Sequence, residues 1–173
     1  SIGSRCYISI KGDIKVDKVL GSRSYYFQIS DSSVIEKGDE VKFEANDRNL
    51  TYKSIDQKFR LNKNIKVFRG PEFNCLNKES INKLKNQEFS IGINNRMAYN
   101  LKEKIEAGVN SIISSGVIPG TVQLTPSGQI IILHRDCQTT GGYPRILQLA
   151  EKSLNNLAQL RTGDKIKFEI VSL

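Results

Sequence analysis

The sequence predicts a mainly β protein, built as a sandwich or a barrel, with one or two short helices. Three observations favour this class. Apolar and polar residues alternate with a period of two along many short segments. Short apolar runs are bounded by Gly, Pro or Asn, which mark strand ends, and segments with helical spacing are scarce. No linker or break in composition divides the chain, so we expect a single domain over residues 1–173.

The strands are predicted from this alternation. In residues 165–170, for example, Ile166, Phe168 and Ile170 alternate with charged side chains, which is typical of a half-buried strand. Another strand is expected to begin at Arg145, directly after Pro144, because Pro144 restricts Tyr143 to an extended backbone. In chain order the predicted strands are residues 6–10, 65–68, 89–93, 97–101, 129–133, 145–149 and 165–170.

Two segments are typical of helices. Asn77 is a good N-cap, Glu79 supplies an acidic first turn, and Ile81 and Leu84 have helical spacing, which together predict a helix over residues 77–85. A second short helix is expected over residues 153–160, where three leucines share one face.

A short frame occurs twice. Residues 36–44 and 161–169 share the pattern x-x-Gly-Asp-x-β-Lys-Phe-Glu, where β is Val or Ile. Gly permits the turn, Asp is expected to bond its own following amide, and the Val/Phe or Ile/Phe pair is expected to face inward. A common turn used twice explains the pattern more simply than a duplicated functional unit.

Composition narrows the function. The 26 Lys and Arg exceed the 18 Asp and Glu by 8, but the excess is spread along the chain, so nucleic-acid binding is only a minor alternative. No apolar run approaches the ~18 residues that span a bilayer, and no secretory signal is visible, so we expect a cytoplasmic protein with no membrane partner. Three widely spaced cysteines and one histidine form neither a disulfide framework nor a metal site.

Residues 135–145 are the most unusual segment. They follow an apolar strand and combine hydroxyls, an amide and two adjacent glycines, a set that can wrap a carboxylate or an amide. A plain Gly-Gly turn tied down by the hydroxyls is the alternative. The candidate catalytic residues are Asp136, Gln138, Thr139 and Thr140. The candidate substrate-binding residues are Arg23, Arg96, Gly141, Gly142, Tyr143 and Arg145. His134 is expected to be packed or solvent-facing rather than a catalytic base.

Several segments together resemble the allophanate hydrolase subunit 2 family. The most distinctive is Gln138-Thr139-Thr140-Gly141-Gly142-Tyr143-Pro144. Other segments look like landmarks of the family and occur in the same order, namely residues 19–24, 69–72, 95–99, 115–120, 122–124 and 157–164. The resemblance covers almost the whole chain, and it implies a cyclophilin-like β-barrel.

The resemblance also implies a function. It suggests a subunit of an ATP-dependent 5-oxoprolinase, inactive alone, which acts with a subunit 1 or B-like protein of the kinase-inhibitor type and with a further catalytic subunit. No cofactor is expected on this chain, since ATP or biotin would be supplied through those partners. A biotin-dependent carboxyltransferase component acting on urea or a related amide, and a non-catalytic module that antagonises a kinase inhibitor, are the alternatives.

The chain departs from the family at a few places. Members usually begin with a further Gly/Ser-rich segment, so the chain is expected to be the C-terminal portion of a longer member or a truncated member. Ala98 stands where the family commonly has Gly, Cys137 where Arg is usual, and Arg135 where a small residue is usual. Many members carry Lys at the position of Arg145, so we expect Arg96 to make the forked anion contact and Arg145 to act as a point charge.

Overall fold

The computed structural model describes residues 4–5, 7–25, 28–29, 34–46 and 62–172. The chain divides into two compact units, one formed by Ser1–Cys6 with Phe59–Leu173 and the other by Tyr7–Lys58. Each unit is described by itself, and the single domain expected from the sequence stays a prediction.

The larger unit is a closed β-barrel, which confirms the predicted mainly β class. The strands of this unit are β3 (Asn64–Arg69), β4 (Phe89–Asn94), β5 (Ala98–Lys104), β6 (Ser115–Gly116), β7 (Thr121–Leu124), β8 (Gln129–Leu133), β9 (Thr140–Gly141), β10 (Arg145–Leu149) and β11 (Lys165–Ile170). Seven of them follow one another around the barrel in the order β10-β3-β11-β4-β5-β8-β7. All barrel pairs are antiparallel except β11 with β3.

Alternating apolar side chains fill the barrel. On β8, Ile130 and Ile132 are fully buried, and on β11 Ile166 and Phe168 are 1% and 2% exposed. The ring of Phe168 packs against Phe89, with 5.4 Å between the ring centroids. Because one face of each strand points inward, the sequence pattern predicted six of the seven barrel strands. It missed β7, whose four residues are all buried and therefore show no alternation.

Both predicted helices are present. Helix α1 (Lys78–Asn86) is capped by Asn77, whose side chain accepts a hydrogen bond of 2.8 Å from the backbone N–H of Ser80. Helix α2 (Glu151–Leu157) buries Leu154 and Leu157. It begins two residues earlier than predicted, and at its C-terminus a tighter turn continues to Leu160, whose N–H donates to the carbonyl of Leu157. Among the described residues, no helix has the length and the apolar character needed to cross a membrane.

The described part of the smaller unit contains a two-stranded ribbon formed by β1 (Asp13–Ile14) and β2 (Phe43–Glu44). The strand predicted for residues 6–10 is wrong over its described part, because residues 7–10 are irregular and exposed and no strand pairs with them. Cys6 lies outside the described residues. Alternation alone does not make a strand where no partner strand supplies hydrogen bonds.

The repeated frame forms the same turn twice. Asp39 Oδ2 accepts a hydrogen bond of 2.7 Å from the N–H of Glu36, and Asp164 Oδ2 accepts one of 2.8 Å from the N–H of Arg161. In each copy the Asp carboxylate therefore accepts from the N–H of a residue three positions earlier, not from its own following amide as predicted. The inward orientation holds only in the second copy, since Phe43 of the first copy is 51% exposed.

Candidate functional site

Residues 134–144 cross the outside of the barrel from one end to the other. Strands β8 and β10 both pair antiparallel with β7, so they run in the same direction. Asp136 lies just beyond the end of β8, whereas Arg145 is the first residue of β10. The connecting segment must therefore travel the length of the barrel, and its two charged ends lie at opposite ends of it.

The middle of this segment is fixed by backbone contacts. Gly116 pairs with Thr140, and Ser115 with Gly141, in the ribbon of β6 and β9. Val117 N–H donates to the carbonyl of Thr139 over 3.0 Å. Below the ribbon lies the buried side chain of Gln123, and a Cβ on Gly141 would come within 2.4 Å of its Nε2. Gly141 thus allows the segment to lie close against β7.

The polar side chains on this segment face outward. Gln138, Thr139 and Thr140 are exposed, and none of the three makes a side-chain hydrogen bond to the rest of the described chain. Tyr143 is 38% exposed. The alternative in which the hydroxyls tie down a Gly-Gly turn therefore lacks the expected contacts, because the backbone alone holds the turn. Within the described ranges the two threonine hydroxyls have no side-chain hydrogen-bond partner.

Asp136 and Arg96 form an ion pair at the first end of the segment. Arg96 Nε lies 2.7 Å from Asp136 Oδ2, with the Arg96 side chain 81% exposed and that of Asp136 42% exposed. The pairing of β5 with β8 brings them together, since Ala98 opposes Leu133. The N–H of Asp136 also donates to the carbonyl of Arg96 over 3.1 Å. This end carries a carboxylate and a cation, both accessible from solvent.

Arg145 is engaged at the other end by Glu72. Its Nε and Nη2 donate to the two carboxylate oxygens of Glu72 over 2.9 and 2.7 Å, and its Nη1 donates to the carbonyl of Gly116 over 2.9 Å. Hydrogen bonds from Arg145 hold the pKa of Glu72 below the ordinary value of 4.5. Arg145 thus makes a forked contact with a partner inside the chain, whereas the forked contact of Arg96 with a bound anion stays a prediction.

Two further residues near the first end have perturbed titration. His134 is buried, which agrees with the packed alternative of the two that the sequence predicts. Burial lowers its pKa below 6.5. Burial also raises the pKa of the Cys137 thiol above 9.0, so this thiol stays protonated at neutral pH. Neither residue has the environment of an activated nucleophile or base.

Arg23 belongs to the smaller unit. Its guanidinium forms a forked contact with Asp13, at 2.8 and 3.0 Å, and both side chains are exposed. This contact lowers the pKa of Asp13. The predicted role of Arg23 in substrate binding stays a prediction.

Other features of the described surface do not coincide with the segment. Two cavities, of about 430 and 500 Å³, open on other faces of the larger unit, and none of residues 134–145 lines either of them. No three His, Cys, Asp or Glu side chains within the described ranges lie close enough together to hold a metal ion.

Sequence reasoning did not single out Glu72. The only signal was its place in residues 69–72, and nothing in that segment indicated a contact with a residue 73 positions away. Gly116 was likewise a landmark without a role. The roles of Glu72 and Gly116 become apparent only from the pairing of β3 with β10 and of β6 with β9.

Comparison with known proteins agrees with this architecture. The family model of the carboxyltransferase domain, subdomain A and B, matches residues 1–170. The chain belongs to this family.

Two curated relatives carry a more specific name, the C subunit of 5-oxoprolinase. The protein from Escherichia coli strain K12 is 30% identical over 178 residues, and that from Haemophilus influenzae is 32% identical over 184 residues. Each alignment covers 99% of this chain, but only 57% and 58% of the relatives. The chain therefore spans somewhat more than half the length of these proteins.

A solved structure shows the same fold. The K. lactis urea amidolyase superposes with a TM-score of 0.70 at 22% identity, covering 99% of this chain and 12% of that protein. At this level of identity the likeness concerns the fold alone. It confirms the mainly β barrel.

Proposed function

We propose that this chain acts as the C subunit, or as part of the C subunit, of a multi-subunit ATP-dependent 5-oxoprolinase. The observation that carries the proposal is the alignment, over 99% of the chain, of two proteins named as that subunit. In this reaction the lactam C–N bond of 5-oxoproline breaks. Water supplies a hydroxyl to the carbonyl carbon and a proton to the nitrogen, which gives glutamate.

The outward-facing segment supports a role in binding the substrate. The hydroxyls of Thr139 and Thr140 and the amide of Gln138 supply uncharged donors without partners in the described chain. Such donors suit both the ring carbonyl and the negative charge that develops on its oxygen during attack by water. In this proposal Gly141, Gly142 and Tyr143 form the rest of the cradle.

Asp136 is proposed as the acid–base or orienting group. Its carboxylate is paired with Arg96 and stays accessible from solvent. Arg96 is mostly exposed, so it can also turn to the substrate carboxylate. Arg145 and Arg23 already have carboxylate partners, and their direct contact with substrate requires those pairs to open.

The proposal includes partner subunits. A lactam is an unreactive amide, and this sequence contains no G-x-x-x-x-G-K-[ST] loop for ATP. We therefore propose that ATP enters through a subunit 1 or B-like protein of the kinase-inhibitor type or through a further catalytic subunit. The chain holds no cofactor of its own in this proposal.

One alternative has an observation in its favour. The matching family model describes a carboxyltransferase domain, which supports a biotin-dependent component acting on urea or a related amide. The regulatory alternative, antagonism of a kinase inhibitor, has no observation among the described residues that favours it.

The test is reconstitution from purified proteins. The chain is mixed with the two candidate partner subunits, ATP and 5-oxoproline, and glutamate is measured; each mixture lacking one component is the control. We expect glutamate only in the complete mixture. Glutamate formed by this chain alone would contradict the dependence on partners, and turnover that needs a biotin carrier and bicarbonate instead would establish the carboxyltransferase alternative.

A further inference from the structure

We propose that Glu72 is a positioning residue that fixes the segment carrying Thr139 and Thr140, acting through Arg145 and Gly116. The proposal rests on the proposed function for its catalytic consequence, but its structural part stands independently.

The first step is the contact between Glu72 and Arg145. The Glu72 carboxylate accepts three hydrogen bonds from one residue: 2.9 Å from the backbone N–H of Arg145, 2.9 Å from its Nε and 2.7 Å from its Nη2. The two side chains are 24% and 22% exposed. Because backbone and side chain are held together, the carboxylate fixes the start of β10 and the direction of the guanidinium at once.

The second step leads from Arg145 to the hydroxyls. Arg145 Nη1 donates to the carbonyl of Gly116, and Gly116 is the pairing partner of Thr140. The next residue, Val117, donates its N–H to the carbonyl of Thr139. The guanidinium therefore holds β6, and the backbones of Thr139 and Thr140 are paired with β6 and with the residue that follows it.

Glu72 is itself rigidly placed. The N–H of Glu72 donates to the carbonyl of Arg145 over 3.2 Å, and the N–H of Gly70 donates to the carbonyl of Ile146 over 2.9 Å. A 3₁₀ turn at Phe73–Cys75 follows directly. A carboxylate mounted on such a backbone loses little freedom when it binds the guanidinium, which is the condition for preorganisation.

A purely structural role is the competing explanation. Strand β10 closes the barrel between β7 and β3, so losing the Glu72 contact could weaken the whole barrel. The two explanations differ in where the effect is felt. Positioning predicts local loosening around β6 and β9, whereas a structural role predicts loosening of all barrel strands together.

The experiment measures amide hydrogen exchange on the purified full chain and on Glu72→Gln. We expect the amide of Val117 to exchange about tenfold faster or more in the variant, because a hydrogen-bonded charge is lost. The amide of Ile105, bonded to the carbonyl of Gly128 elsewhere on the barrel, should keep its rate. Glu79→Gln is the matched control, since Glu79 is a carboxylate paired with Lys83 on the exposed face of helix α1.

A second variant keeps the proposal testable if Glu72→Gln misfolds. Arg145→Gln removes the other partner and should give the same local pattern. The double variant should add almost nothing to either single one, because the two residues act through one contact. Equal acceleration at Val117 and Ile105 in both variants, or unchanged exchange at Val117, would overturn the proposal.

The effect of Glu72→Gln on catalysis is measured in the reconstituted complex. We expect Glu72→Gln to lower kcat about tenfold or more with a smaller change in KM, since displaced hydroxyls lose contact with the reacting carbonyl first. Local loosening with unchanged kcat would show that Glu72 positions the segment but not the chemistry. If the wild-type complex does not form glutamate, the proposed function fails, and the exchange data still decide whether Glu72 holds the segment.

Discussion

His134 and Tyr99 pack against each other in a tilted arrangement at one end of the barrel, with 5.4 Å between their ring centroids and 49° between their planes. The Tyr99 hydroxyl accepts a hydrogen bond of 2.7 Å from Arg5 Nη1, but neither ring nitrogen of His134 has a partner among the described residues. His134 as a whole is only 6% exposed. Burial, then the positive charges of Arg5 and Arg135, lower its pKa, while the Arg96 backbone and Asp136 oppose this shift. The folded chain therefore holds a neutral imidazole.

This relationship predicts how stability depends on pH. The His134 imidazole takes up a proton near pH 6.5 in the unfolded chain but only at lower pH in the folded chain. The free energy of unfolding should therefore fall as the pH drops from about 6.5 towards the lowered pKa, by about 1.4 kcal/mol per unit of pKa difference. His134→Phe keeps an aromatic ring packed against Tyr99, removes the titrating group and should flatten the curve. Denaturant unfolding between pH 5.5 and 7.5 measures this, and parallel curves for the two proteins would contradict it.

Gly70 is predicted to tolerate no side chain. A Cβ at this position would lie 2.1 Å from the backbone carbonyl oxygen of Arg145, so two strands would have to separate. Gly70→Ala should lower the free energy of unfolding by about 1–3 kcal/mol or more. Gly116→Ala is the matched control, because nothing lies within 4 Å of its added Cβ. Equal unfolding midpoints for the two variants would show that the close approach is unimportant.

Thr139 and Thr140 allow a test of the candidate cradle. Each side chain is exposed and bonds to nothing in the described chain, so Thr→Val at either position should change the free energy of unfolding by less than about 0.5 kcal/mol. In the reconstituted complex we expect kcat to fall about 100-fold, the size of effect seen when one donor to a developing oxyanion is lost. Full activity of both variants would restore the interpretation as a simple turn.

Arg96 is predicted to matter for activity but not for stability. Its ion pair with Asp136 is largely exposed, and such pairs contribute about 0–1 kcal/mol. Arg96→Lys should therefore leave thermal unfolding nearly unchanged. Turnover in the complex should fall, because a lysine cannot make the forked contact with a carboxylate. A stable variant with normal kcat and KM would remove Arg96 from the site.

Six of the seven barrel strands of the larger unit were predictable from the sequence because the information is local. Buried side chains recur at every second residue, as Ile130 and Ile132 show on β8, and Asn77 marks the start of helix α1. Strand β7 was missed because all four of its residues are buried, so it shows no alternation. The same rule failed at residues 7–10. There the alternation is present, but no neighbouring strand pairs with it in the described part of the chain.

The candidate site was only partly predictable, because its geometry depends on contacts between residues that are far apart in the sequence. The polar composition of residues 135–145 marked the segment, but its course across the barrel depends on the relative directions of β8 and β10. The two-residue strands β6 and β9 are too short to show any period. The partner of Arg145 lies 73 residues away, a separation that no local pattern reports.

Closure of the barrel also limits how another polypeptide can join the larger unit. Every barrel strand has a paired neighbour on both sides, so none of them is the edge strand of an open sheet. Among the described strands of this unit, β6 and β9 form an open ribbon whose edges suit β-augmentation, in which a partner contributes an extra strand. Because β9 contains Thr140, a strand added to it would lie directly beside the hydroxyls.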